Sequence, residues 1–429
     1  MFEHMEEKEF PKLVICIPTY NRSKVIESVL NCELQMLKER HVDVILYDSS
    51  EDAETEMVYK KYRSAGFDNL FLKKVDPKVA SNQKIYMIWQ DMEYSMYDYV
   101  WLIHDHRVCS VTAIEYILQA LTENRDIYIL SLFSKEQFGQ MDVLTLQDFL
   151  KECVYFLTLF GASIINIKTY VAGTDWKQLE SKYLGKRTIN FSQLGFYYER
   201  ANQLKDFKAR ILQFPKGSFV SPEEKVEFRW YGDIVRVWSE CWASTILNFP
   251  DVYKEKKSAI RDIDQLHLSI KNFIDYRRDG VYNCRIFFKY AKWLRIASSE
   301  NILRYFFIAA VPPGLSAKLY ERRFVRQIIK AQKNHKKIII FGAAKYAFTC
   351  AEFMKKNNIS FDAFIVSSMK NNSNVILEHP VYLAEEYYAV EKNVFSIIAV
   401  AGYGNRKEIE NYLEIINMKS DSVYFDNIS

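Results

Sequence analysis

Asp105, His106 and Arg107 stand side by side at the end of Tyr99-Val-Trp-Leu-Ile-His104, an apolar run that stops abruptly in charged and imidazole groups. A carboxylate can hold a ribose hydroxyl or a cation. An imidazole can ligate a metal or move a proton, and a guanidinium can clamp a phosphate through paired hydrogen bonds. Bulky residues in so short a run suit a buried parallel strand, and open α/β sheets hold their ligands at the carboxyl ends of such strands. Asp105 is therefore a site candidate. The competing role, capping the next helix, is better filled by Ser110, which stands just before Ala113, Ile114, Ile117, Leu118 and Leu121 at helical spacing. His104 and His106, as alternate residues, share one face of an extended strand.

Three units of the same kind precede this one. Leu13-Val-Ile-Cys-Ile17 reads as a strand ended by Pro18-Thr19-Tyr20-Asn21, with Asn21 as the expected cap of a helix through Val25, Ile26, Val29, Leu30 and Leu37. Val42 to Tyr47 repeats the pattern, with Asp48-Ser-Ser-Glu-Asp at its end and Met57, Val58 and Tyr62 marking a helix. Leu70 to Val75 is the third strand, after which Ser81 is the expected cap of a helix through Ile85, Ile88, Trp89 and Met92. Alternation of this kind predicts an α/β fold with a doubly wound parallel sheet and right-handed crossovers. Thr19, Tyr20, Asn21, Asp48 and Asp105 should then meet at one edge. Further on, Ile127 to Phe133 reads as a strand, and so does Phe156 to Ile165, whose Gly161 permits close approach of a ligand or backbone.

The first half contains neither G-x-x-x-x-G-K-[ST] nor G-x-G-x-x-G, which argues against a nucleoside triphosphatase or a dehydrogenase there. A nucleotidyltransferase of similar topology is disfavoured because no glycine-rich loop follows the first strand. What remains is a nucleotide site built from side chains and strand ends.

Val14-Ile-Cys-Ile-Pro-Thr-Tyr-Asn-Arg22, Val44-Ile-Leu-Tyr-Asp48-Ser-Ser and Tyr99-Val-Trp-Leu-Ile-His-Asp105, in that order and spacing, resemble the amino-terminal half of family-2 glycosyltransferases of the GT-A fold, over roughly residues 12 to 125. The resemblance implies that Pro18, Thr19, Tyr20, Arg22 and Asp48 hold the base and ribose of a nucleoside diphosphate sugar, with a UDP-sugar as the expected donor. Asp105 matches the first acid of the family's DxD cluster, which binds ribose and a divalent cation bridging the diphosphate. His106 and Arg107 stand where further carboxylates would be. A Mn or Mg ion would thus be left with Asp105 and His106, whereas Arg107 can itself neutralise the diphosphate. Inverting transfer to a glycan or lipid-linked oligosaccharide, as in surface polysaccharide assembly, is the implied reaction. It needs a carboxylate base, for which Asp175 in Gly-Thr-Asp-Trp and Glu199, on a helix through Leu194, Tyr198 and Ala201, both stand at plausible places. Asp233 reads as a first-turn acid favoured by its helix dipole. A non-catalytic glycan-binding protein that kept the fold is the competing class.

The whole chain bounds these readings. At 429 residues, 49% hydrophobic and 15% aromatic, it exceeds what one core usually serves and is not disordered. The expected organisation is a catalytic domain over 1–255, a basic helical segment over 256–334 and a Rossmann-like domain over 335–429. From Lys271 to Lys337 there are 16 Lys and Arg against four acids, so +12 sits in a chain whose net charge is only +4. Aromatics interleave with these cations, as in Ile286-Phe-Phe-Lys-Tyr-Ala-Lys-Trp-Leu-Arg295. That pattern fits an anionic membrane surface, an RNA or a partner protein, or simply helices packed between domains; a membrane surface is the expectation carried forward, and no nucleic acid is expected. No apolar run reaches the roughly 18 residues of a membrane span. Seven scattered cysteines without a CxxC pair, and an acidic rather than signal-like start, lead to the expectation of a cytoplasmic protein, peripheral at the inner face of the membrane. In the last segment Ala344 and Ala347 stand where a dinucleotide fingerprint wants glycines, leaving Gly342 alone. No NAD(P) is expected there, and a structural role or self-association is.

Overall fold

A computed structural model describes residues 11–135, 137–215, 217–220, 231–369, 372–400, 409, 412, 413, 416 and 422–425. Two compact units divide the chain: 1–263 with 296–298, and 264–295 with 299–429.

The first unit is built on an eight-stranded sheet. Its strands are β1 (Leu13–Thr19), β2 (Asp43–Asp48), β3 (Leu70–Lys74), β4 (Tyr99–Leu102), β6 (Ile129–Lys135), β7 (Gly139–Val143), β8 (Ser163–Asn166) and β9 (Ala209–Pro215), in the order β3-β2-β1-β4-β8-β6-β9-β7. Pairs among β3, β2, β1 and β4 are parallel, as is β6 with β9, whereas β8 and β7 run antiparallel to their neighbours. Helices α1 (Ser23–Glu39), α2 (Glu54–Ser64), α3 (Ser81–Met92) and α4 (Val111–Glu123) make the crossovers. In α1 the stripe Ile26, Leu30, Leu34 and Leu37 is buried in one cluster with Ile15, Ile17, Val44 and Leu46 of the sheet. At about 1.5–3 kcal/mol for each fully buried side chain, that stripe fixes the helix on this face. Ser110 caps α4 as expected, its hydroxyl accepting from Ala113 N at 3.3 Å.

Three local expectations are corrected. Asn21 does not cap α1: it adopts a left-handed φ of 51°, which asparagine tolerates, and Arg22 is the capping position. Its amide instead donates to Ser50 Oγ at 2.8 Å and its Oδ1 accepts from Glu51 N at 3.2 Å, tying the loop after β1 to the loop after β2. Ser81 is the first residue of α3, and the capping position belongs to Ala80, which offers no side-chain acceptor. The run from Phe156 is not one strand. Phe156–Thr158 is a single tight turn and only Ser163–Asn166 extends, because Gly161 reverses the chain at φ 89°. A Cβ on Gly161 would lie 3.3 Å from Ile103 Cγ1, and its carbonyl accepts from Trp101 Nε1 at 3.0 Å, so the glycine brings this loop against the end of β4.

The second unit carries a six-stranded sheet of β11 (Lys337–Phe341), β12 (Ala363–Val366), β13 (Val375–Ile376), β14 (His379–Leu383), β15 (Val394–Ile398) and β16 (Ser422–Tyr424), ordered β13-β14-β12-β11-β15-β16 and parallel except for β13 with β14. Phe324, Ile328 and Ala331 of helix Pro313–Lys333 share a core cluster with Ile338 and Ile340 of β11. The sequence from Glu408 to Ile416 reads as a further helix, and that stretch lies largely outside the described residues. Gly342 has φ 132°, and a Cβ there would sit 2.7 Å from Ala399 O. Close packing of the β11 and β15 ends therefore accounts for this glycine without any ligand. Among the described residues no helix is long and apolar enough to cross a membrane.

Candidate active site

Because β1, β2 and β4 are parallel neighbours, Thr19, Asp48 and the turn after Leu102 emerge at one edge of the sheet. Order reverses at β1, with β2 on one side and β4 on the other, and crevices at such switch points are where open sheets bind ligands. Ile103 N still donates to Cys16 O at 3.1 Å, extending the pairing of β4, and Arg107 N donates to His104 O at 3.3 Å, closing a turn over residues 104–107. The chain leaves through β5 (Val108–Cys109), clamped antiparallel by β10 (Phe219–Val220). Glu33, buried on α1, accepts from Cys109 N at 3.0 Å, and burial pushes its carboxyl up to about 7.

Within this edge Asp105 accepts from Arg22 at 2.8 Å and from Thr19 Oγ1 at 3.4 Å, with His106 Nδ1 3.2 Å from the same carboxylate. Burial pushes the Asp105 carboxyl up, but His106 and Arg22 outweigh it and hold it below its ordinary value. Asp48 is 0% exposed, accepting from Ser50 N at 2.9 Å and from Lys74 at 2.7 Å. Tyr20 reaches Glu51 through its hydroxyl at 3.4 Å. The strand ends expected to converge do so.

One group at this edge escaped the sequence reading. Lys84 on α3 is only 4% exposed and donates to Thr19 O at 2.9 Å and to Ser49 Oγ, linking the ends of β1 and β2 from beneath. Burial lowers its ammonium to about 8 against the opposing fields of Asp48 and Asp105. Its signal was a lysine four residues before Ile88, inside an otherwise apolar helical stripe.

Arg107 is half-buried and, among the described residues, makes no ion pair or side-chain hydrogen bond. Its guanidinium remains available to an anion. His104 and His106 lie with ring centroids 4.9 Å apart, and burial, then the neighbouring His106, lowers His104 to about 4, so it is neutral at physiological pH.

The two acids considered as proton acceptors lie elsewhere. Gly173 N donates to Glu93 and Ile167 N donates to Asp98 O, which places this segment where β4 begins rather than where it ends. At about 3.3 Å per residue, β4 separates the two edges by roughly 13 Å. Asp175, exposed, caps α6 (Trp176–Tyr183) through Gln178 N at 3.0 Å, and Trp176 donates to Glu93. Glu199, on α7 (Ser192–Gln203), accepts from Lys182 and from Tyr183 Oη at 2.7 Å. The next residue, Arg200, donates to Tyr170 O at 2.9 Å, so this end of α7 also sits where β4 begins. Asp233 pairs with Arg236 at 3.2 Å without capping its helix. By contrast the start of α7 faces the Asp105 edge: Gln193 Nε2 donates to Thr158 O, and the buried Ser192 Oγ and Gln193 Oε1 have no hydrogen-bond partner among the described residues.

A hard divalent cation requires several oxygen ligands. Here Asp105 is engaged by a guanidinium and an imidazole, Arg107 follows, and among the described residues no three His, Cys, Asp or Glu side chains are grouped to hold a metal ion. The residues present do not fit a DxD cation site.

Comparison with known proteins agrees with this geometry: residues 14–147 match the model described as glycosyl transferase family 2. Over these residues the chain is similar to family-2 glycosyltransferases. The sheet that carries these residues is mostly parallel, in an α/β arrangement. Structures similar to the chain include S. aureus TarS residues 1–349, at 14% identity and TM-score 0.41, covering 70% of this chain and 90% of that one. A mannosyltransferase from Pyrobaculum calidifontis in complex with GDP-Man and Mn²⁺ has 13% identity and TM-score 0.39, covering 82% and 87%. Glucosyl-3-phosphoglycerate synthase from Mycobacterium tuberculosis has 14% identity and TM-score 0.36, covering 56% and 80%. No curated protein matches the sequence.

Proposed function

We propose that this glycosyltransferase moves a sugar from a UDP-sugar, with inversion, to a hydroxyl of a glycan or lipid-linked oligosaccharide in surface polysaccharide assembly at the cytoplasmic face of a membrane. The observation that carries the reading is the meeting of Thr19, Arg22, Asp48 and Asp105 with Arg107, unpaired among the described residues, at one sheet edge inside the region that matches family-2 glycosyltransferases. Asp48 and Asp105 serve the base and ribose. Arg107 neutralises the diphosphate, the task a cation performs where carboxylates are present. The acceptor oxygen attacks the anomeric carbon, the bond from that carbon to the diphosphate oxygen breaks, and the electron pair leaves on the nucleoside diphosphate. The acceptor's proton passes to a general base at the donor edge; Asp175 and Glu199, the acids considered for that role, stand at the far one. Buried oxygens of Ser192 and Gln193 supply hydrogen-bond acceptors for a hydroxyl-bearing substrate. The carboxyl-terminal domain over 335–429 serves packing or self-association.

Incubation with a panel of nucleotide sugars, scoring released UDP and GDP by mass, tests this. UDP release that depends on an added glycan acceptor is expected. A non-catalytic glycan-binding role is the second reading, favoured by the engagement of Asp105 by Arg22 and His106; nucleotide binding without any release would select it.

A further inference from the structure

We infer that helices Cys284–Ala297 and Ile302–Ala310 present a docking surface for an anionic phospholipid bilayer. On the second helix Tyr305, Ile308 and Ala309 are buried, and Tyr282 Oη donates to Tyr305 O at 3.0 Å, so that stripe is the one the fold uses. Leu303, Phe306 and Phe307, at i, i+3 and i+4, line the other side and are exposed. Phe288 of the first helix joins them, its ring 5.9 Å from that of Phe306, which in turn lies 5.3 Å from the buried Phe287. Phe288 and Leu303 are each 68% exposed. These side chains form one patch across two helices rather than scattered surface residues, and contiguous apolar patches mark interaction sites.

Charge selects the occupant. On the first helix Arg285, Lys289 and Lys292 are exposed at i−3, i+1 and i+4 around Phe288. From 280 to 320 the chain has six Lys and Arg against one acid, Glu300, which is paired to Arg304 at 2.6 Å. A basic rim around phenylalanine and leucine suits phosphate headgroups above acyl chains. Nucleic acid is the poorer fit, because Leu303 offers neither a flat face to stack on a base nor a hydrogen-bonding group. Helices of 14 and 9 residues are too short to span a bilayer, which takes about 20, so they lie on it. This surface is distinct from the donor site and its test needs no transfer activity.

Flotation of the full chain with phosphatidylcholine vesicles, with and without phosphatidylglycerol, is the experiment. Binding is expected only with phosphatidylglycerol and should weaken as salt rises. Arg285→Glu with Lys292→Glu should reduce it at least about 25-fold, at roughly fivefold for each basic residue removed. Phe288→Ser with Phe307→Ser should reduce it about tenfold or more. Both pairs are exposed, so unchanged circular dichroism and UDP affinity should confirm folding and separate this result from any failure of the donor site. Equal binding to neutral vesicles, no binding to either, or full binding by both variants overturns the inference. Concentration-dependent dimers that both variants abolish, without vesicle binding, would assign the face to a second copy instead.

Discussion

Replacing Arg107 with alanine separates donor electrostatics from folding. Since the guanidinium makes no ion pair or side-chain hydrogen bond among the described residues, its loss should change unfolding free energy by no more than about 0.5 kcal/mol, the range of surface substitutions. Donor binding should respond differently. A unit charge about 4 Å from a phosphate, at an effective dielectric of about 20, gains roughly 4 kcal/mol before the cost of desolvation, which sets a ceiling. Charge-assisted hydrogen bonds measured by deletion give about 1.5–3 kcal/mol, so UDP affinity should fall between about ten- and 150-fold. Calorimetric titration with UDP in EDTA, for parent and Arg107→Ala, reads this directly. Arg107→Lys should recover only part of the loss, because an ammonium cannot make the paired contact. Turnover supplies the opposing outcome. If EDTA abolishes parent activity, Mn²⁺ restores it fully and Arg107→Ala binds UDP as the parent does, the arginine is not the substitute and a cation site survives despite its missing carboxylates.

Four further outcomes are expected. Asp48→Ala should weaken UDP binding by about 1.5–3 kcal/mol, the range for a lost charged hydrogen-bond partner, and unchanged affinity by calorimetry would sink its donor role. Lys84 has a folded-state pKa near 8, below the 10.5 of the free side chain. Over that window the unfolded chain binds the extra proton, so stability rises with pH. Urea unfolding at the two ends should show the parent gaining up to ~3 kcal/mol on Lys84→Met, and a constant difference would refute the burial argument. Gly342→Ala, which must fit a Cβ 2.7 Å from Ala399 O at a positive φ, should lower stability by about 1–3 kcal/mol, visible as a reduced Tm. NADH at micromolar levels should give no saturable quenching of tryptophan fluorescence, since Ala344 and Ala347 replace the fingerprint glycines; saturable quenching lost in Gly342→Ala would overturn this.

Local sequence determined the elements of the first hundred residues and which of their ends are polar. Short apolar runs alternating with helical stripes leave parallel strands as the economical way to bury both faces, and parallel strands put all their carboxyl ends on one side. Thr19, Asp48 and Asp105 were thus legible as neighbours without coordinates, and Arg107 as the odd cation among them. Tertiary structure decided what periodicity cannot express. An apolar pattern says which face is covered but not by which neighbour, so the antiparallel insertion of β8 between β4 and β6 and the clamp of β10 on β5 became visible only when the strands were paired. Asn21 looked like a helix cap because its side chain suits that role, yet the loop after β2 offered it better partners in Ser50 and Glu51. The placement of Asp175 and Glu199 had the same cause: position along the chain says little about which end of α7 approaches a given sheet edge. Lys84 marks the boundary most clearly. Its side chain interrupts an apolar stripe, a conflict readable in the sequence, but only the fold supplies the Thr19 carbonyl, the Ser49 hydroxyl and the fields of Asp48 and Asp105 that let an ammonium remain in so dry a place.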